Sequence, residues 1–120
     1  MKNDPGYKMK TITIETHFSI FESIQELPKD IQRLMLEAIS TRKTAYAPYS
    51  KFKVGAAAIL QNGEIIKGSN QENASYPIGI CAERVLLSTA STMQSKVPIV
   101  TMAITYHNER GGNNVPIAPC

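Results

Sequence analysis

A chain of 120 residues has room for one hydrophobic core and not for two, and 42% hydrophobic with 19% charged residues is an ordinary globular composition. Lys and Arg number 13 against 10 Asp and Glu, a net charge of +3 spread thinly, with no basic block and no aromatic–basic interleaving. That pattern argues against a nucleic-acid platform and for a small-molecule site, and no apolar run approaches membrane-spanning length.

In chain order, residues 1–10 read as a flexible leader, and Met1-Lys2-Asn3-Asp4-Pro5 opens no apolar segment of the signal-peptide kind. Thr11-Ile12-Thr13-Ile14-Glu15-Thr16 alternates polar and β-branched residues, which predicts a short edge strand. Pro28 suits a first helical turn and Asp30 the positive end of a helix dipole. Ile31, Leu34, Met35, Ala38 and Ile39 then recur at helical spacing, so this helix carries a core-facing stripe until Pro48 closes it. Val54 to Leu60 is a continuous apolar run, and Asn62-Gly63 is a turn signal before Glu64 to Lys67, so a hairpin follows. The small residues Gly55 to Ala58 allow close approach, by a helix or by a ligand. After the polar loop 70–79, a second helix starts near Cys81 with Ala82, Val85, Leu86 and Ala90 on its buried side. Ile99 to Thr105 is a buried strand by length and β-branching, and His107 to Cys120 reads as loop. Strand, helix and strand in that order predict a parallel crossover and an α/β sheet.

The sharpest chemical feature is Cys81-Ala82-Glu83-Arg84 at that helix start. A cysteine there feels the positive end of the helix, which favours the thiolate that binds metal. Glu83 points away around the helix, free to face a metal-held water, and Arg84 can offset thiolate charge. The same four residues also suit a buried small thiol, a first-turn acid and a surface cation. Pro119-Cys120 follows the next strand, so both cysteines belong to loops at the carboxyl end of the predicted sheet, where α/β folds hold ligands. Two thiolates from that edge suit a tetrahedral zinc with an open position. Two cysteines in this setting point to metal or catalysis in a reducing compartment, and the cytoplasm is the expected location.

Tyr46-Ala47-Pro48-Tyr49-Ser50-Lys51-Phe52-Lys53-Val54-Gly55-Ala56-Ala57, Asn70-Gln71-Glu72-Asn73, Tyr76-Pro77-Ile78-Gly79-Ile80-Cys81-Ala82-Glu83-Arg84 and Pro119-Cys120, in this order, resemble the homotetrameric zinc-dependent cytidine deaminases. The resemblance implies a three-layer α-β-α fold with a mixed central sheet, in one domain over residues 1–120. It implies Zn2+ held by Cys81 and Cys120, and Glu83 as the acid/base that moves a proton from the attacking water to the pyrimidine and the leaving ammonia. It assigns the ribose hydroxyls to Asn70 and Glu72 and an aromatic wall against the base to Phe52. The Ala82 N–H would meet the substrate, Tyr76 would sit in a loop used across a subunit interface, and Arg84 would temper the thiolates. The implied reaction is hydrolysis of cytidine or deoxycytidine to the uridine and ammonia, as in pyrimidine salvage, by a homo-oligomer, with no nucleic acid or membrane partner. Cysteine as first ligand resembles the free-nucleoside branch, whereas deaminases of polynucleotides or deoxycytidylate have histidine there. Blasticidin-type deaminases share the cysteine, but Asn70 and Glu72 suit ribose better.

The family motif continues Pro-Cys-x-x-Cys, which places its third ligand three residues past Cys120, and neither His17 nor His107 matches a family ligand. The expectation is therefore a fragment of a longer protein, with its C-terminal part missing. The alternative is an inactive nucleoside-binding or assembly remnant.

Overall fold

The computed structural model describes residues 6–119, so the first half of the leader and Cys120 lie outside the described residues. Helix α1 spans Lys29–Thr41, strand β1 Phe52–Leu60, strand β2 Ile65–Ser69, helix α2 Ala82–Met93 and strand β3 Ile99–Asn108. Short 3-10 turns cover Ile24–Glu26, Arg42–Thr44 and Tyr76–Ile78.

The sheet order is β2-β1-β3, and both neighbours run antiparallel to β1. β2 and β3 are thus parallel to each other across β1, and α2 is the crossover that links them. The hairpin closes where expected: Gly63 has φ 87° and donates its N–H to the Leu60 carbonyl at 2.8 Å. Period-two alternation along β1 then divides the core. Val54, Ala56, Ala58 and Leu60 pack with Ile66 against Ala82, Leu86 and Ala90 of α2. Ala57 and Ala103 pack on the other face against Leu34 and Ala38 of α1. The result is the three-layer α-β-α arrangement, with the helices on opposite faces of the sheet.

Small residues in β1 and β2 let both helices sit unusually close. A Cβ on Gly55 would overlap the Ala38 carbonyl oxygen, and one on Gly68 would lie 2.5 Å from the Ala82 carbonyl oxygen and 2.6 Å from the Leu86 nitrogen. Helix packing, rather than a ligand, is what the Gly55–Ala58 run accommodates. The end of α1 is tied to β3 by Arg42, whose Nη1 donates to the Tyr106 carbonyl at 2.6 Å.

Three expectations change. Thr11–Thr16 forms no strand: the segment has no regular structure, and Ile12 and Ile14 are exposed. Alternation supplies an apolar face, but a strand also needs a neighbour for its N–H and C=O groups, and the segment has no cross-strand partner among the described residues. His107 belongs to β3, opposite Lys53, rather than to a following loop. Helix α1 stops at Thr41, well before Pro48; the Thr44 hydroxyl takes up the Thr41 carbonyl at 2.8 Å in the 3-10 turn that follows. Among the described residues, no helix is long and apolar enough to cross a membrane.

Candidate functional site

The antiparallel registers place the end of β2, the start of β1 and the end of β3 at one edge of the sheet, because Gly55 opposes both Ser69 and Thr105. Two loops meet there. Residues after α1 pair with the start of the loop after β2: Tyr46 N–H donates to the Asn70 carbonyl at 3.0 Å, and Glu72 N–H to the Tyr46 carbonyl at 2.7 Å. Gln71 and Ile80 exchange N–H···O bonds of 2.9 and 3.0 Å, which draws the intervening loop closed and delivers the chain to α2. A pocket of about 760 Å3 opens between these loops, lined by Tyr49, Ser50, Val54, Asn70 to Ala74, Tyr76, Pro77 and Gly79 to Cys81.

Asn70 spans the start of β1. Its Oδ1 accepts from Val54 N–H and its Nδ2 donates to the Phe52 carbonyl, each at 2.8 Å. Glu72 is held by the turn at residues 49–51. Its carboxylate accepts from Tyr49 N–H at 2.9 Å, from Ser50 N–H at 3.2 Å, and from the Ser50 hydroxyl. Partial desolvation pushes the Glu72 carboxyl up. The Ser50 hydroxyl, the two N–H donors and the nearby Lys51 charge outweigh it, and the group titrates below the usual glutamate range.

Cys81 is the N-cap of α2, half-buried on the pocket wall, with extended backbone angles and no side-chain cap bond. Ala82 opens the helix and is fully buried against β2, so its N–H is one of those a helix start leaves without an intrahelical acceptor. Glu83 is half-buried in the first turn, and Arg84 is exposed. Tyr76 is 91% exposed at the rim.

Of the residues singled out from sequence, the fold gathers Asn70, Glu72, Tyr76 and Cys81 on one pocket. Ala82 and Glu83 follow Cys81 directly without lining it, and Arg84 points to solvent. Phe52 does not line the pocket either: its ring stacks on Tyr106, centroids 5.0 Å apart and planes at 9°. Val54, next on the same sheet face, does line it. Tyr49, Ser50, Gln71 and Ile80 also line it; they stand within the quoted motifs but were given no role there. The signal for the first two was the Pro48-Tyr49-Ser50 turn chemistry directly before a strand.

Cys81 fits zinc as one soft ligand, placed at a positive helix end and open to the pocket. Among the described residues no group of three His, Cys, Asp or Glu side chains stands together as a metal site. The other thiol, Cys120, lies outside the described residues.

Comparisons with known proteins point to one family. Residues 28–120 match the family model of the cytidine and deoxycytidylate deaminase zinc-binding region. The cytidine deaminase of Halalkalibacterium halodurans is 42% identical over 91 residues, which are 76% of this chain and 64% of that protein. That of Sporosarcina psychrophila is 47% identical over 55 residues, 46% of this chain and 40% of the relative. The chain thus spans less than two thirds of the length of these relatives. The crystal structure of cytidine deaminase from Burkholderia pseudomallei superimposes with a TM-score of 0.64 at 40% identity, covering 73% of this chain and 66% of that one. The Mycobacterium leprae structure gives 0.65 at 32% identity, covering 78% and 73%. The chain belongs to the cytidine and deoxycytidylate deaminase family, within its zinc-binding region.

Proposed function

We propose that the protein to which this chain belongs hydrolyses cytidine and deoxycytidine to the corresponding uridines and ammonia, as a cytoplasmic homotetramer built on one deaminase-like domain. The observation that carries this reading is the convergence of Asn70, Glu72, Tyr76 and Cys81 on one pocket at the end of the sheet that presents the start of α2.

Cys81 and Cys120 would hold zinc, which when bound supplies a water activated for attack on C4 of the pyrimidine. Glu83, two residues past Cys81, would carry the first proton of that water to the ring nitrogen, and then the proton left on the added hydroxyl to the departing amine. Water adds, ammonia leaves, and no other reactant is needed. The Ala82 N–H donates to the substrate, and α2 is held against Gly68 so that this donor stays fixed. Asn70 and Glu72 would receive the ribose hydroxyls and Tyr76 would extend across a subunit interface; Phe52, stacked on Tyr106 outside the pocket lining, and Arg84, exposed to solvent, take no part in this pocket as it stands.

Zinc-replete protein incubated with cytidine should show the absorbance change of uridine formation, and Glu83→Ala should abolish it while zinc content stays the same. Stoichiometric zinc with unchanged cytidine absorbance would overturn the reading.

A further inference from the structure

The turn before β1 carries a hydrogen-bond relay that the roles above leave unused. The Ser50 hydroxyl accepts the Phe52 N–H at 3.1 Å and donates its single proton to the Glu72 carboxylate. Tyr49 and Ser50 N–H groups converge on the same carboxylate. Lys51, next in the chain, has φ 59°, in the left-handed region that non-glycine residues adopt at a cost. Consecutive N–H groups beside such a residue form a small anion-binding concavity, and here the anion is the protein's own side chain. Ser50 and Glu72 both line the pocket.

We propose that Ser50 is a positioning residue whose hydroxyl fixes the Glu72 carboxylate against the pocket wall, leaving an acceptor position open for a substrate hydroxyl. This rests on the deaminase reading and deepens it. A carboxylate offers about four acceptor sites. The donors at residues 49 and 50 occupy most of them and fix the carboxylate plane, so what is left points in a set direction. The relay also runs through Phe52 N–H into β1, so the carboxylate is registered to the sheet rather than to a mobile loop. The downward shift of Glu72 agrees, since the Ser50 hydroxyl is the strongest of the influences that lower it.

The test uses the full-length, zinc-replete protein. Ser50→Ala should raise KM for cytidine about tenfold, the loss of one hydrogen bond to a charged group, with kcat within about twofold. The acid limb of kcat/KM should move to higher pH, and Ser50→Thr, which keeps the hydroxyl, should restore both. Independently of activity, a carboxyl NMR titration should place Glu72 below an ordinary glutamate in the wild type and Ser50→Thr, and higher in Ser50→Ala. An unchanged KM and Glu72 titration in Ser50→Ala would overturn the proposal. So would a loss confined to kcat, or an ordinary Glu72 titration in the wild type. A wild type that deaminates no cytidine yet shows the Ser50-dependent titration would refute the reaction while supporting the positioning.

Discussion

Gly68→Ala tests the coupling between the packing of α2 and the site. The added Cβ would stand 2.5 Å from the Ala82 oxygen, 2.6 Å from the Leu86 nitrogen and 3.1 Å from the Leu86 Cα. All three are backbone atoms of α2, so no side chain can rotate away. Restoring a carbon–oxygen contact of about 3.4 Å requires the first turns of the helix to retreat by roughly 0.9 Å. A gap of that size forfeits a quarter to a half of the dispersion energy along the face that buries Ala82, Leu86 and Ala90. Overpacking of this kind costs about 1–3 kcal/mol, and the reduced freedom of the unfolded chain returns only about 0.4–1. The net expectation is a loss of about 1 kcal/mol, seen as a lower urea midpoint with an unchanged m-value. Gly55→Ala is the control: it overlaps the Ala38 carbonyl and Arg42 of α1 and α1's following turn, so it destabilises without moving α2. Only Gly68→Ala displaces Cys81, so at equal folded fraction it should hold less zinc than Gly55→Ala. A Gly68→Ala protein with a wild-type midpoint, or with the zinc content of the Gly55 variant, would refute the reasoning.

Other consequences are simpler. Leu86→Ala, at a fully buried position, should cost about 2–5 kcal/mol, whereas Leu87→Ala, at 46% exposure, should stay within about 0.5, both by urea titration. Asn70→Ala removes the acceptor for Val54 N–H and the donor to the Phe52 carbonyl. It should cost about 1–3 kcal/mol and weaken cytidine binding, measured by denaturation and calorimetry. Glu72 titrates below 4.5 in the folded protein, so its contribution to stability is complete above that value and disappears as pH falls through the folded pKa. Glu72→Gln should therefore be less stable than wild type at pH 6, and the two midpoints should converge once the pH falls below the folded pKa.

The fold was readable where one period dominates. Leu34 and Ala38, four residues apart, lie fully buried on α1, and Asn62-Gly63 closes the hairpin because the turn needs a left-handed glycine. Prediction failed where the deciding fact is a partner. Thr11 to Thr16 has a strand's pattern but no neighbouring strand among the described residues, and the Gly, Asn and Pro residues after His107 read as loop although β3 runs on through His107 because Lys53 stands opposite it. That β1 lies between β2 and β3, and so pairs antiparallel with β3 as well as with its hairpin partner, was not visible, since one crossover fixes β2 and β3 relative to each other but says nothing of which strand lies between them.

The site divides along a different line. Cys81 was singled out by its own position at a helix start, whereas Asn70 and Glu72 were singled out only by the resemblance of their short motif to the family. What the motif does not contain is how those side chains are held. Asn70 satisfies both ends of its amide on β1, and Glu72 is already the acceptor for a turn 22 residues away. The groups that would meet a ribose therefore also fasten two loops to the sheet. A substitution at either residue removes a substrate contact and loosens the pocket wall in one step, and a loss of binding in such variants alone cannot be assigned to the contact. Ser50 separates the two effects more cleanly, because losing its hydroxyl frees the carboxylate and one strand-end N–H, that of Phe52, while the Tyr49 and Ser50 N–H bonds to Glu72 stay in place. If Ser50→Ala leaves the fold's urea midpoint within about 1 kcal/mol and still raises KM, the direction of the Glu72 carboxylate, and not merely the closure of the loop, sets the affinity.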